Sequence, residues 1–150
     1  MIKDENTNVV YLSDMLKERF PDFCRRFISL LDEMNINWKL IPGTRDIWAR
    51  DYMPVQIDEG CFLQYLYEPD YLLNDKYRHT ITDTSAVCKA MNMACRVENV
   101  KIDGGNVSIC GDYIVMTDKV FTENGKEKND ASFKQMLESI FGKKIIISFH

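Results

Sequence analysis

The chain holds only two histidines, His79 and His150, and its five cysteines are scattered with no Cys-x-x-Cys spacing. That supply argues against a His/Cys zinc centre. No phosphate-binding or dinucleotide-binding glycine pattern is present, so no cofactor is implied. No apolar run approaches the ~18–20 residues of a membrane span. The start, Met1-Ile2-Lys3-Asp4-Glu5-Asn6, is polar and lacks the apolar core of a signal peptide. Nor is there a basic excess. The net charge is -4 and the pI about 5.2, which argues against nucleic acid or an anionic membrane as partner. The pairs Lys17/Arg19, Arg25/Arg26 and Lys143/Lys144 read as solvated helix faces or ends. Cys24, Cys61, Cys88, Cys95 and Cys110 lie in apolar patterns and read as reduced thiols of a cytoplasmic protein, with Cys88 and Cys110 as small buried hydrophobes.

What is present suits one domain, 1–150, with a real core: 150 residues, 45% hydrophobic and 28% charged. Residues 8–12 form a first strand, and Ser13 suits a helix N-cap. Met15, Leu16, Phe20, Phe23, Phe27, Ile28, Leu30, Leu31 and Met34 follow at helical spacing. Pro21 breaks that pattern, and a new helix starts near Asp22. The Phe20/Phe23/Phe27 stripe reads as core. Residues 38–41 form a strand. Residues 47–57 and 61–67 read as a hairpin about Asp58-Glu59-Gly60. The stretch 68–80 is a polar and aromatic loop, with His79 on the surface. Asp83 or Thr84 caps a helix through Val87, Ala90 and Met91. Strand 96–101, the turn Asp103-Gly104-Gly105-Asn106 and a hairpin of 107–110 with 113–117 come next. A polar loop at 124–130 leads to a helix whose apolar face is Phe133, Met136, Leu137, Ile140 and Phe141. Gly142 stops it, and a strand over 144–149 follows. The order β-α-β-β-β-α-β-β-β-α-β repeats a ββαβ pattern twice, over 47–101 and 107–149, with little identity between the copies.

The segment Thr44-Arg45-Asp46-Ile47-Trp48-Ala49-Arg50-Asp51-Tyr52-Met53-Pro54 combines an aromatic face, a fixed cation and a carboxylate. Read as a strand, it puts Trp48 and Arg50 on one face and Ile47, Ala49 and Asp51 on the other. An inward Asp beside apolar neighbours is costly without a cation or donors. A guanidinium suits it, because a carboxylate accepts two parallel N–H bonds from one. The blander alternative is an ion pair of Asp51 with Arg50 or Arg45. Trp48 is equally compatible with core and with a pocket wall. Arg50 reads best as a brace for Asp51 or Asp103.

Trp48-Ala49-Arg50-Asp51-Tyr52-Met53-Pro54 resembles the W-x-R-D-x-x-P segment of the agmatine deiminase and bacterial peptidylarginine deiminase family. Asp103-Gly104-Gly105-Asn106 looks like that family's acidic-Gly-Gly-Asn segment, and Thr117-Asp118 falls where the family has a Thr-acidic pair. The resemblance implies an α/β pentein fold, in which five ββαβ modules surround a pseudo-fivefold axis; the two pattern repeats match about two of them. It also implies a hydrolase in which a cysteine thiolate attacks the guanidinium carbon. A histidine moves protons, and two carboxylates hold the planar cation. Carried over, Asp51 is the first substrate carboxylate, a catalytic position. Trp48 and Arg50 flank it, and Asp103, Gly104, Gly105 and Asn106 form a turn near the substrate, where glycine permits close approach.

The family's Gly-His-x-Asp segment and its late cysteine nucleophile have no counterpart in the 150 residues. His150 has no Gly before it, and is not assigned as the catalytic histidine. The expectation is the N-terminal part of a guanidine deiminase of the putrescine-forming or peptidylarginine type, inactive alone. Its partner would be a guanidinium-bearing small molecule or peptide. The alternative is a stand-alone, non-catalytic pentein-like module that binds a partner or self-associates, with open strand edges inviting pairing.

Overall fold

A computed structural model describes residues 6–148 of the chain. Three short sheets, each containing a parallel strand–helix–strand crossover, share one apolar core. In the first sheet, β1 (Val10–Ser13) pairs in parallel with β2 (Trp38–Ile41). The connection is α1 (Met15–Arg19) and α2 (Pro21–Glu33). Pro21 separates the helices as its chemistry requires, because it takes the first position of α2, where its missing N–H costs nothing. Ser13 lies at the end of β1, and its Oγ accepts the Met15 N–H at 3.1 Å.

The second sheet comes from β3 (Val55–Asp58), β4 (Cys61–Leu66) and β5 (Cys95–Lys101), with α4 (Thr84–Ala90) as the crossover after a short α3 (Ala49–Tyr52). β3 and β4 are antiparallel, turning at Gly60 with a φ of +65°. β4 and β5 are parallel. Asp83 caps α4 by accepting the Ser85 N–H at 2.8 Å. The third sheet repeats this plan. β6 (Ser108–Cys110) is antiparallel to β7 (Tyr113–Thr117), which is parallel to β8 (Lys144–Ser148). Its crossover contains α5 (Lys119–Glu123) and α6 (Ala131–Phe141). Asp130 caps α6 through the Phe133 N–H, and Gly142 ends it in the left-handed conformation. Residue 149, the end of the expected last strand, and His150 lie outside the described residues. Among those described, no helix is long and apolar enough to cross a membrane.

Ile41, Tyr52, Leu63, Ile114 and Leu137 are completely buried, and they come from all three units. Several expectations need correction. The expected strand at 47–57 starts only at Val55; Ala49–Tyr52 is a helical turn. The Met53 N–H reaches the Ala49 carbonyl at 2.9 Å, and Pro54 forces Met53 to an extended conformation that ends the turn. The apolar/polar alternation there was not a strand signal. The Phe20/Phe23/Phe27 stripe is not core. Phe20 and Phe23 are 49% and 50% exposed, because α2 turns Cys24 and Leu31 toward the sheet. Cys88 is buried but Cys110 is exposed, at the end of a three-residue strand. All five cysteines are free thiols.

Candidate active site

The helical turn α3 gives Trp48 and Asp51 a common side, since residues three apart are neighbours on a helix. Both line a cavity of about 850 Å³. Ala49, Arg50 and Met53 face away and line a separate groove of about 380 Å³. Trp48 and Arg50 therefore part company, contrary to the strand reading. Trp48 is 64% exposed, so it forms a cavity wall and not core.

Three side chains, Tyr52, Tyr65 and Asp46, fix the turn. The Tyr52 hydroxyl donates to the Asp46 carbonyl at 2.8 Å. The Tyr65 hydroxyl lies 2.8 Å from both the Asp51 and Met53 carbonyls. Asp46 Oδ1 accepts the Ile47 N–H and also takes the Arg19 guanidinium at 3.0 Å.

The turn 103–106 packs directly onto α3. Gly104 sits so close that a β-carbon there would overlap the Arg50 carbonyl and come within 2.5 Å of the Tyr65 hydroxyl. This is the close backbone approach for which glycine is needed. A β-carbon on Gly105 would stand 2.6 Å from Asp51 Oδ1 and 3.1 Å from Asp103 Oδ1. The two carboxyl groups thus flank one point and lie within hydrogen-bonding reach of each other. Asp103 Oδ1 accepts the Gly105 N–H at 2.8 Å, and its Oδ2 accepts the Tyr71 hydroxyl at 3.1 Å. Asn106 faces the next unit, where its Oδ1 accepts the Thr117 N–H at 2.7 Å. Arg50 donates to the Val107 carbonyl at 2.8 Å. It braces the segment after the turn and makes no ion pair with Asp51 or Asp103 among the described residues. Arg45 reaches the Ile81 carbonyl, away from Asp51.

Burial, then the negative charge of Asp103 and the hydrogen bond between the two side chains, push the Asp51 carboxyl up to about 6. The charge of Arg50 offsets only part of this. Burial also raises Tyr71 to about 12 and lifts Tyr67 well above the ordinary phenol range. These phenols stay neutral, as hydrogen-bond donors and π faces.

Tyr67, Tyr71 and Tyr77 complete the cavity wall with Trp48, and Asp46 joins Asp51 as its second carboxylate. Sequence reasoning missed all four. Tyrosine density in 65–77, inside a stretch with no secondary-structure period, was the available signal for an aromatic wall. His79 is exposed and lines the same cavity, whereas no cysteine does. Arg19, paired with Asp46, and Lys76 line the cavity as well, so Asp51 is the carboxylate that can meet a planar cation there, by charge and with cation–π attraction from the aromatic faces. Among the described residues there is no cluster that could hold a metal ion.

No protein-family profile matches the chain. No curated protein matches it significantly by sequence. Solved structures do match. A C. jejuni agmatine deiminase superposes with a TM-score of 0.66 over 95% of this chain at 16% identity. The chain has, in part, the agmatine deiminase fold. A Cys-to-Ser variant of the C. jejuni enzyme with substrate bound gives 0.64 over 95% of the chain at 15% identity. A structural-genomics protein assigned as an agmatine deiminase gives 0.59 over 94% at 13%. The chain spans 52% of the C. jejuni protein and 40% of the structural-genomics one. At such identities the likeness concerns fold.

Proposed function

We propose that the chain binds the guanidinium group of an arginine-like small molecule or peptide between its aromatic wall and Asp51. It is part of a guanidine deiminase of the agmatine or peptidylarginine type. The observation that carries this reading is Asp51, which lines an aromatic-walled cavity while its carboxyl is held against that of Asp103. A planar cation would relieve that like-charge contact and give Asp51 two parallel hydrogen bonds. The partial likeness to agmatine deiminases and the W-x-R-D-x-x-P match support it independently.

In this reading the second and third sheets are two of the five ββαβ modules of a pentein. Trp48 and Tyr71 orient the cation and Asp51 anchors it. The glycines of 103–106 let the backbone approach. The nucleophilic cysteine and the acid–base histidine lie outside this chain, so the chain alone does not hydrolyse a guanidinium. The protein is cytoplasmic, consistent with its reduced thiols.

Calorimetric titration with agmatine and with arginine amide tests the binding, using Asp51→Ala as control. Binding unchanged by Asp51→Ala removes the pocket assignment. Ammonia release by the chain, lost when one of its cysteines is replaced by Ala, overturns the placement of the nucleophile elsewhere.

A further inference from the structure

Helix α2 carries an apolar seam that the other described residues leave largely exposed. Phe23, Phe27, Leu30 and Met34 follow one another at intervals of four, three and four along α2 and its C-cap, and Phe20 precedes them at the N-cap, outside the helical conformation. This is the alternating spacing by which one helix packs along another. Phe20, Phe23, Leu30 and Met34 are 49%, 50%, 47% and 61% exposed, and the Phe23 and Phe27 rings stack on each other at 5.6 Å. The helix satisfies its own sheet with a different pair, Cys24 and Leu31, which stand beside the seam and are buried. A single helix thus has two apolar faces, of which the fold uses one.

The flanks of the seam specify what covers the other. On the side toward the protein body the flanking residues are Cys24 and Leu31. On the outer side they are Arg26 and Glu33, seven residues apart. A helix lying parallel would set Arg26 against the partner's apolar flank. A second α2 lying antiparallel sets Arg26 of one copy near the partner's Glu33, and Glu33 near the partner's Arg26. Both pairs are opposite in charge, and a two-fold axis generates both at once. We propose that α2 is a self-association surface, on which the α2 of a second copy of this chain packs antiparallel along the Phe23–Met34 seam. The bulk of the contact is aromatic, and Phe side chains dominate interface energetics where they become fully buried.

Sedimentation velocity on the 150-residue chain, from low to tens of micromolar, tests this together with charge reversals at positions the core does not use. The wild-type chain is expected to move from monomer to dimer over that range. Arg26→Glu alone and Glu33→Arg alone each place like charges together, and weaken the dimer about tenfold. The double variant R26E/E33R restores the dimer, which a merely structural role for either residue does not predict. Phe23→Ser abolishes the dimer while circular dichroism shows the native fold. A wild-type chain that stays monomeric at tens of micromolar overturns the proposal. So does a dimer that survives Phe23→Ser, or one for which the double variant is no better than the single ones.

Discussion

Asp51 and Asp103 present carboxyl oxygens 2.6 and 3.1 Å from the point where a β-carbon on Gly105 would stand. The acidic residue of one motif therefore faces the acidic residue of the other, across a glycine that leaves the gap open. Two like charges so placed cannot both ionise freely, and the arrangement stores a cost that a bound cation relieves.

The cost appears as pH-dependent stability. Asp51 has an ordinary value of 3.8 and about 6 in the folded chain. Within that window the folded state holds more protons than the unfolded one, so stability falls as pH rises and the loss is complete above about 6. Asp51→Asn removes the charge and keeps the shape. We expect the variant to be more stable than the parent at pH 7–8 by about 1 kcal/mol, after discounting for solvent screening at a half-exposed site. The gain disappears below about pH 4, where both chains are neutral at this position. Urea denaturation at pH 4 and pH 8 measures it; a variant less stable than the parent at pH 8 contradicts the like-charge account.

Cation binding carries the same group with the opposite consequence. Only the ionised Asp51 attracts a guanidinium, so the ligand must expel a proton wherever the carboxyl is protonated. Affinity for agmatine is expected to fall about tenfold for each pH unit below about 6 and to level off above about 7. Calorimetry in two buffers of different ionisation enthalpy reads the proton release directly. Affinity constant from pH 5 to pH 8 would place the ligand away from Asp51.

The two adjacent glycines separate folding from binding. A methyl on Gly104 meets the backbone of Arg50 and the buried Tyr65, neither of which can yield. Gly104→Ala should cost about 2–3 kcal/mol, in the range of overpacked sites. A methyl on Gly105 meets carboxylate oxygens at the ends of short side chains at an exposed position. Gly105→Ala should fold with little loss and bind the cation poorly, because Asp51 and Asp103 are pushed apart. Thermal denaturation and ligand titration of both variants check the contrast; equal destabilisation by the two would remove it.

Much of the fold was legible because the signals were local. Pro21, Gly60, Asp83 and Gly142 punctuate the elements where the sequence places them, and the eight strands among the described residues fall within or near the expected stretches. What was not legible depended on direction. Residues 47–53 alternate as a strand would, yet Tyr52 enters the core and its hydroxyl reaches back to Asp46, which a helical turn permits. In α2 two apolar faces compete, and nothing local says that Cys24 and Leu31 outrank the phenylalanines. Asp51 and Asp103 were nameable from their motifs. Their opposition across Gly105 was not, because it arises from the docking of segments that are distant in sequence. The wall of Tyr67, Tyr71 and Tyr77 is likewise set by packing of an irregular loop.

Tyr71 links that wall to the acidic pair. Its hydroxyl donates to Asp103 at 3.1 Å and shares a hydrogen bond with Tyr67, and the Lys119 ammonium stands over its ring at 4.5 Å. Tyr71→Phe keeps the ring, and with it the contact to Lys119, but leaves the Asp103 oxygen without its phenol donor. Loss of one hydrogen bond to a charged acceptor costs about 1.5–3 kcal/mol where it is shielded and less at an exposed residue such as this one. Stability is therefore expected to drop by about 1 kcal/mol or less. Cation affinity should respond differently from stability. With its donor gone, Asp103 bears more unshielded charge against Asp51, so the proton at Asp51 is held more tightly and the midpoint of the binding profile moves to higher pH. A shifted midpoint with near-parental affinity at pH 8 supports this linkage. An unchanged midpoint with uniformly weaker binding at every pH would mean that Tyr71 acts on the ligand directly, through its hydroxyl.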